Sequence, residues 1–124
     1  MGLFGDTNIW SMVRRIGVGN MQVMHTCSFT TAGTGAPTVD GAKTRGPIAV
    51  ARTGVGVYTI TLPKYLRNSV AVASMAAGGE VQDVNAVIPE ASAVCTVTFV
   101  TSGTNTAVDS TGNTVNVVIW GTQR

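Results

Sequence analysis

The sequence predicts an all-β protein, built as a single antiparallel β-sandwich of jelly-roll or Ig-like type or as a small barrel. Val and Thr together make up about 30% of the 124 residues, and both are β-branched side chains that suit a pleated sheet better than a helix. Apolar residues recur at a period of two over most of the chain from Met21 to Trp120. Gly, Pro and Asn interrupt this pattern and divide it into six or seven short strands.

The length of 124 residues corresponds to one domain with a core of its own. We expect an N-terminal arm over residues 1–20, followed by the β-sandwich domain over residues 21–124. Within the arm, residues 6–16 are the only candidate helix, although a short extended arm fits the same segment. The helix prediction depends on apolar residues spaced by three and four, at Ile9, Trp10, Val13 and Ile16.

The first part of the β pattern predicts two strands separated by a long loop. A strand begins at Met21, and Gly, Thr, Ala and Pro then indicate a loop over Thr30–Lys43. After a short apolar run at Pro47–Arg52, the next strand is expected to end at Pro63, because proline donates no backbone hydrogen bond to a ladder. The residues of the first strand that share one face are Met21, Val23, His25, Cys27 and Phe29.

The middle of the chain predicts a hairpin. Lys64–Asn68 is expected to be a connection, and Val70–Ala76 a strand. Gly78-Gly79 then favours a tight turn. The strand that follows, between Val81 and Ile88, departs from the period of two, so we expect a bulge or a bend in it.

The last part of the chain predicts two strands with clear alternation. The strand over Ala93–Thr101 precedes a polar loop, Ser102–Asn113, whose tip is expected at Asp109–Asn113. The strand over Thr114–Trp120 closes the sheet. The residues expected on one face of these strands are Cys95, Val97 and Phe99 in the first, and Val115, Val117 and Ile119 in the second.

The chemistry of an enzyme is missing from the sequence. His25 is the single histidine, and no Gly-x-Ser-x-Gly turn provides a nucleophile for it. His25 and Cys27 share a strand face, but two ligands do not make a zinc site. Gly41–Thr44 lacks the glycine that precedes the lysine of a phosphate-binding loop. We therefore expect no enzymatic activity, no catalytic residue, no metal and no cofactor.

The charge balance argues against nucleic acid and membrane as partners. Only 11% of the residues are charged and the formal net charge is +2, which is weak for a nucleic-acid binder. No stretch approaches the roughly 18 apolar residues of a membrane span. The N-terminus also lacks the basic and apolar regions of a secretory signal. Cys27 and Cys95 are therefore expected to be reduced, buried thiols, with a disulfide as the alternative.

The charges are nevertheless segregated along the chain. Residues 1–67 carry seven basic and two acidic side chains, whereas residues 68–124 carry one basic and four acidic. In a chain with so few charges this asymmetry can arise by chance. The alternative is an assembly in which the basic arm and loops meet an acidic surface of a neighbour.

Several strands are apolar on both faces, which favours a homo-oligomer. Val117–Trp120, Ile48–Ala51 and Val70–Ala77 lack the polar outer face of a one-sided antiparallel sheet. A second subunit can cover such a face, so we expect a dimer or trimer. The alternatives are that these small side chains are tolerated on the surface, and that the arm packs on its own sheet. The expected interface residues, all in the arm, are Phe4, Ile9, Trp10, Val13, Arg14 and Arg15.

Four stretches of the chain carry a resemblance. Gly54–Leu62, Val70–Val72, Ala93–Thr101 and Val115–Gly121 together are similar to the β modules of small virion proteins of tailed bacteriophages, of the capsid decoration (cement) type. The resemblance covers roughly residues 50–121 and carries no functional residue with it. It implies a non-enzymatic, oligomeric β-sandwich on the surface of a capsid.

Taken with the composition, the resemblance predicts a structural virion protein that binds and stabilises an assembled phage capsid. Its partners would be further copies of itself and the major capsid protein. It would be made in the host cytoplasm without being secreted, and would end on the capsid surface. The alternative function is a fibre-tip or adhesin-like module that binds a glycan or protein on the host surface, for which exposed aromatic residues near polar loops are required.

Overall fold

The computed structural model describes residues 21–77, 82–101 and 103–123. These residues form seven strands and no helix, and every strand pairing is antiparallel, so the predicted all-β class is confirmed. The candidate helix at 6–16 lies outside the described residues. The strands are β1 (Met21–Ala32), β2 (Gly35–Val39), β3 (Ala49–Gly54), β4 (Val57–Ala77), β5 (Gln82–Val87), β6 (Ser92–Thr101) and β7 (Thr111–Gln123).

The long strand β4 joins two halves of one sheet. The strand order is β2-β1-β7-β4-β6-β5, and β3 also pairs with β4. The first part of β4, from Val57 to Thr61, pairs with both β3 and β6, whereas the part from Val70 to Ala77 pairs with β7. We call β2, β1, β7 and the second part of β4 the first layer, and β3, the first part of β4, β6 and β5 the second layer.

The core lies between these two layers. The ring of Phe29 in the first layer packs against that of Tyr58 in the second, with centroids 5.3 Å apart, and Tyr58 packs edge-on against Phe99 at 5.6 Å. Such tilted ring pairs are a favourable arrangement of aromatic side chains. The buried apolar set is Cys27, Phe29, Tyr58, Ile60, Leu62, Leu66, Cys95, Val97, Phe99, Val115, Val117 and Ile119.

The alternation predicted for three strands is confirmed. The core-facing residues of β6 and β7 are buried at the predicted positions, and those of β1 are buried from His25 to Phe29. Ser28 was expected on the opposite, polar face of β1, yet it is also buried. The reason is local, because the backbone N–H of Asp40 donates to the Ser28 carbonyl at 2.8 Å and the loop covers this part of the strand.

The prediction of a long loop over Thr30–Lys43 is wrong. β1 continues to Ala32, and β2 returns antiparallel to it after a short turn. Gly33 makes this turn with φ of +63°, a conformation that glycine adopts without steric cost. Pro37 is tolerated in β2 because β2 is at the edge of the sheet, where not every backbone group needs a partner.

The predicted strand end at Pro63 is also wrong. β4 passes through Pro63 and through the expected connection at Lys64–Asn68 without ending. The ladder with β6 is interrupted between Thr61 and Leu66, so Pro63 lies where no paired N–H is required. Proline therefore marks the corner between the layers and not the end of the strand.

The expected bulge between Val81 and Ile88 is absent from the described part, because β5 pairs with β6 in unbroken register from Gln82 to Val87. Val84 and Ala86 pack on the core and Val87 faces solvent, which is a regular alternation. The irregular spacing arose from including residues beyond the strand. The turn predicted at Gly78-Gly79 lies outside the described residues.

Asp109–Asn113 is not an exposed loop tip. Asp109 accepts two hydrogen bonds from Arg52, at 3.0 and 2.9 Å, and one from the N–H of Gly56 at 3.0 Å. Ser110 and Asn113 are buried, and the Thr31 hydroxyl donates to the Ser110 hydroxyl at 3.1 Å. Ser110 and Asn113 are thus packed inside the protein with hydrogen-bond partners, while Thr111 and Gly112, at the start of β7, remain exposed.

Candidate protein-interaction surface

The predicted interface residues of the arm, Phe4, Ile9, Trp10, Val13, Arg14 and Arg15, lie outside the described residues. The described residue nearest to the arm in the chain is Met21. Met21, the first described residue, pairs with Gln123 at the end of β1 and β7. The surface beside Met21 and Gln123 is therefore the one to inspect for an interaction.

The outer face of the first layer, turned away from the core, carries an apolar patch. Trp120 is the direct cross-strand neighbour of Met24 on one side and of Val70 on the other. In the next row, Val118 lies opposite Val72. Rows on one face of a sheet lie about 7 Å apart, so these side chains are contiguous. We call Met24, Val70, Val72, Val118 and Trp120 the apolar patch.

The rest of the same face is polar. In the row that follows, Ser28, Asn116 and Ser74 are cross-strand neighbours. In the row after that, the hydroxyls of Thr30 and Thr114 lie 3.1 Å apart in a hydrogen bond. Polar residues are what the solvent-facing side of an antiparallel sheet normally shows, and here Ser74 is exposed whereas Ser28 is covered by the loop after β2. The apolar patch is thus confined to the end of the face that lies near Met21 and Gln123.

The apolar patch is open to solvent and slightly concave. Met24 is 66% exposed and Trp120 is 38% exposed, which is high for large apolar side chains. Gln22, Val23, Met24 and Trp120 line an open depression of about 420 Å³. Tryptophan is one of the residue types most enriched among the side chains that contribute most to binding at protein interfaces.

A basic cleft borders the apolar patch. Pro63, Lys64, Tyr65, Arg67 and Thr122 line a space of about 260 Å³ at the corner of β4. Tyr65 is exposed there, whereas Tyr58, the other tyrosine, is fully buried. Thr122 is two residues beyond Trp120 on β7, so the cleft and the patch share one face.

The outer face of the second layer has a different character. Thr59 and Thr96 are direct cross-strand neighbours at its centre. Val87 and Val94 are exposed there, but each lies opposite a threonine, Thr96 and Thr61 respectively. This face therefore mixes small apolar groups with hydroxyls, and it provides a comparison surface for the apolar patch.

His25 occupies a closed position under the loop that follows β2. A Cβ added at Gly46 would lie 1.8 Å from the ring nitrogen Nδ1, so only glycine allows the loop to cover the ring. Burial lowers the pKa of His25, and a backbone hydrogen bond with Arg45 opposes that shift. Within the described ranges, no three His, Cys, Asp or Glu side chains are grouped to hold a metal ion.

Cys27 and Cys95 are unpaired and buried. Burial raises the pKa of the Cys95 thiol to about 11, and the nearby Cys27 adds to the effect. Burial likewise raises the pKa of Cys27, against a hydrogen bond with Thr44 that lowers it. Both thiols are therefore protonated and unreactive near neutral pH.

Part of the charge segregation is used within the chain itself. Arg52, from the basic half, forms a two-bond ion pair with Asp109, from the acidic half. Glu90, also from the acidic half, accepts a hydrogen bond of 2.9 Å from the N–H of Asn68. Both contacts lie within one molecule. Two of the four acidic side chains of residues 68–124 therefore already have partners in their own chain.

The chain matches no known protein family, no curated protein and no solved structure. Among its described residues, no helix is both long enough and apolar enough to cross a membrane. The function must therefore be argued from the surface itself.

Sequence reasoning singled out the two-faced strands but missed the apolar patch. It placed Trp120 on the face of β7 opposite Val115, Val117 and Ile119, and the structure confirms that these three are buried while Trp120 is exposed. It could not know that Met24 and Val70, which are about 50 or more residues away from Trp120, would flank it. Only the register of β1, β7 and β4 brings the three side chains into one row.

Proposed function

We propose that this chain is a non-enzymatic structural protein of a virion, which binds an assembled phage capsid and stabilises it. The observation that supports the proposal best is the apolar patch. It is exposed on the outer face of the first layer, and the inner face of that layer packs on the core. The largest contiguous apolar patch on the surface of a monomer is often a functional contact. The low charge of the chain and the phage-like strand segments agree with such a role.

The mechanism is stabilisation by selective binding. A protein that binds the assembled shell, and not the free subunits, shifts the equilibrium toward the shell by mass action. Many copies on one shell would connect neighbouring capsid subunits. In this proposal the chain forms a dimer or trimer, the major capsid protein is its second partner, and the capsid surface is its location.

Co-sedimentation tests the proposal. Purified capsids of the phage that encodes the chain are mixed with the isolated protein and pelleted, and their thermal disruption is followed with and without it. We expect co-sedimentation to saturate and the disruption temperature to rise. A protein that stays in the supernatant at all ratios would contradict the proposal.

The arm provides a more specific test. Deletion of residues 1–16 should leave a folded β domain, because the described residues from Met21 onward already form a continuous core between the two layers. It should weaken shell binding or self-association by several kcal/mol, and Trp10→Ala should reproduce much of the loss. An unfolded truncated chain would show instead that the arm belongs to the core.

One observation favours the alternative of a host-surface binding module. Tyr65 is exposed in the basic cleft, beside Lys64 and Arg67. An exposed aromatic ring near polar groups is the arrangement that a sugar-binding site requires. Binding of the protein to host cells or to a glycan array, lost in Tyr65→Ala, would support this function. The capsid experiment above would then give no co-sedimentation.

A further inference from the structure

We propose that the apolar patch is the docking site for residues 3–16 of a second copy of this chain. The inference rests on the self-association that is part of the proposed function. It goes further by assigning the receptor surface, at Trp120 and its cross-strand neighbours, and the segment that occupies it.

The size of the patch favours a short segment as the occupant. The four most exposed side chains of the patch are Met24, Val70, Val72 and Trp120, at 66%, 44%, 51% and 38% exposure. Four partly exposed apolar residues of this kind expose on the order of 300 Å² of contiguous apolar surface. A standard interface buries about 800 Å² on each partner, so two such patches packed face to face would be small. A peptide segment needs less surface.

The chain contains a segment of matching chemistry next to the patch. Twenty residues precede Met21, and Met21 begins the strand that carries Met24. Their large apolar side chains belong to the same class as those of the patch, so each can bury the other. These side chains are Leu3, Phe4, Ile9, Trp10, Val13 and Ile16.

The direction of β1 favours a second copy as the source of the segment. β1 runs from Met21 toward Met24, so Met21 is separated from the apolar patch by the row of Gln22, Thr122 and Arg67. To cover the patch of its own molecule, an arm joined to Met21 would have to cross back over this row. An arm that reaches a neighbour need not cross it.

The contact is expected to be apolar and not electrostatic. Arg14 and Arg15 of the arm carry the same sign of charge as Lys64 and Arg67, which lie beside the patch. Like charges do not attract, so salt should leave the binding unchanged or strengthen it by screening the repulsion. The effect of salt therefore distinguishes this contact from one between a basic arm and an acidic surface, which salt would weaken.

Tryptophan fluorescence tests the proposal directly, because the chain has two tryptophans. Trp10→Phe keeps an aromatic arm and leaves Trp120 as the sole reporter of the patch. In this variant we expect Trp120 to be shielded from acrylamide at high protein concentration. Removal of residues 1–16 should raise the quenching constant about twofold, since a covered tryptophan side chain loses its solvent contact. A synthetic peptide of residues 1–16 that carries Trp10→Phe, and so adds no tryptophan, should restore the shielding.

A pair of valine variants provides the matched control. Val72 in the patch and Val87 on the second layer are 51% and 53% exposed, so neither substitution removes a buried side chain. In the Trp10→Phe background, Val72→Lys should raise the quenching of Trp120 to the level of the truncated chain. Val87→Lys should leave it unchanged. This comparison remains informative even where the truncated chain does not fold.

Dilution identifies the source of the arm. Shielding by a second copy must fall as the protein is diluted, and this result, with the valine pair, supports the proposal. Shielding that is independent of concentration would show that the arm covers its own sheet, and it would overturn the proposal. Equal quenching of Trp120 with and without the arm would overturn it as well.

The outcome is distinguishable from that of the capsid experiment. Normal co-sedimentation with capsids, combined with an unshielded Trp120, would refute the docking site and leave the structural function intact. If the shielding of Trp120 depends on protein concentration but the protein never binds capsids, the docking site is supported and the proposed capsid function is refuted.

Discussion

Replacement of Gly56 by alanine should be strongly destabilising, and the structure shows why. Gly56 has φ of +66° in the turn before β4. A Cβ at this position would lie 2.4 Å from the carbonyl oxygen of Val108 and 2.8 Å from that of Phe99. Both atoms belong to the backbone, so no side-chain rotation can relieve the overlap. The loop from 103 to 110 would have to move away from the turn.

The expected cost has two parts. A non-glycine residue in the left-handed conformation costs roughly 1–2 kcal/mol. Displacement of the loop would weaken the hydrogen bonds from Phe99 N to Gly56 O, at 2.8 Å, and from Val108 N to Phe99 O, at 3.1 Å. Each such bond contributes about 0.5–1.5 kcal/mol, so the total for Gly56→Ala is about 2–5 kcal/mol.

Gly112→Ala is the matched control. Gly112 has φ of +72°, close to that of Gly56, but a Cβ there would meet no atom within 4 Å. Its cost should be the conformational part alone, about 1–2 kcal/mol. Urea unfolding of both variants and of the parent chain, followed by circular dichroism, gives the two differences in free energy of unfolding. Equal losses in the two variants would refute the role assigned to the close packing of Val108 and Phe99 on Gly56.

Three further predictions concern buried or paired polar groups. Tyr58→Phe should preserve or raise the thermal midpoint, because the buried hydroxyl has no hydrogen-bond partner among the described residues; a clear loss would reveal one. The N–H of Gly56 and the Arg52 side chain hold the pKa of Asp109 below its ordinary value. The stability due to Asp109 is therefore present above its unfolded-state pKa and lost as the pH falls through the folded one; Asp109→Asn should reduce the loss of unfolding free energy at low pH, measured by urea titrations at several pH values. Cys95, with a pKa of about 11, should resist iodoacetamide at neutral pH in the native protein, and mass spectrometry of labelled samples checks this.

The parts of the fold that follow from local alternation could be predicted from the sequence. The inward positions of β6, from Cys95 to Phe99, and of β7, from Val115 to Ile119, are as expected. A strand turns successive side chains to opposite faces, so the pattern of apolar residues is enough to identify the buried one. No knowledge of the neighbouring strands is needed for this step.

The errors arose where tertiary contacts override local signals. Pro63 looked like a strand end, but the ladder is already interrupted there by the corner of β4. Asp109 and Asn113 looked like a polar loop tip, but Arg52, Gly56 and Thr31 supply partners that lie far away in sequence. A polar group can be packed inside once such partners exist, and sequence alone does not show them.

The sequence by itself determined that this protein is an antiparallel β protein and which side chains of its clearest strands face the core. Both properties depend on residue type and on a period of two, which are local. The tertiary structure decided the position of the apolar patch, because Met24, Val70 and Trp120 become neighbours only through the pairing of β1 and β4 with β7. The register between distant strands is set by how the whole sheet folds over its core, and a shift by one residue would turn these side chains to the other face.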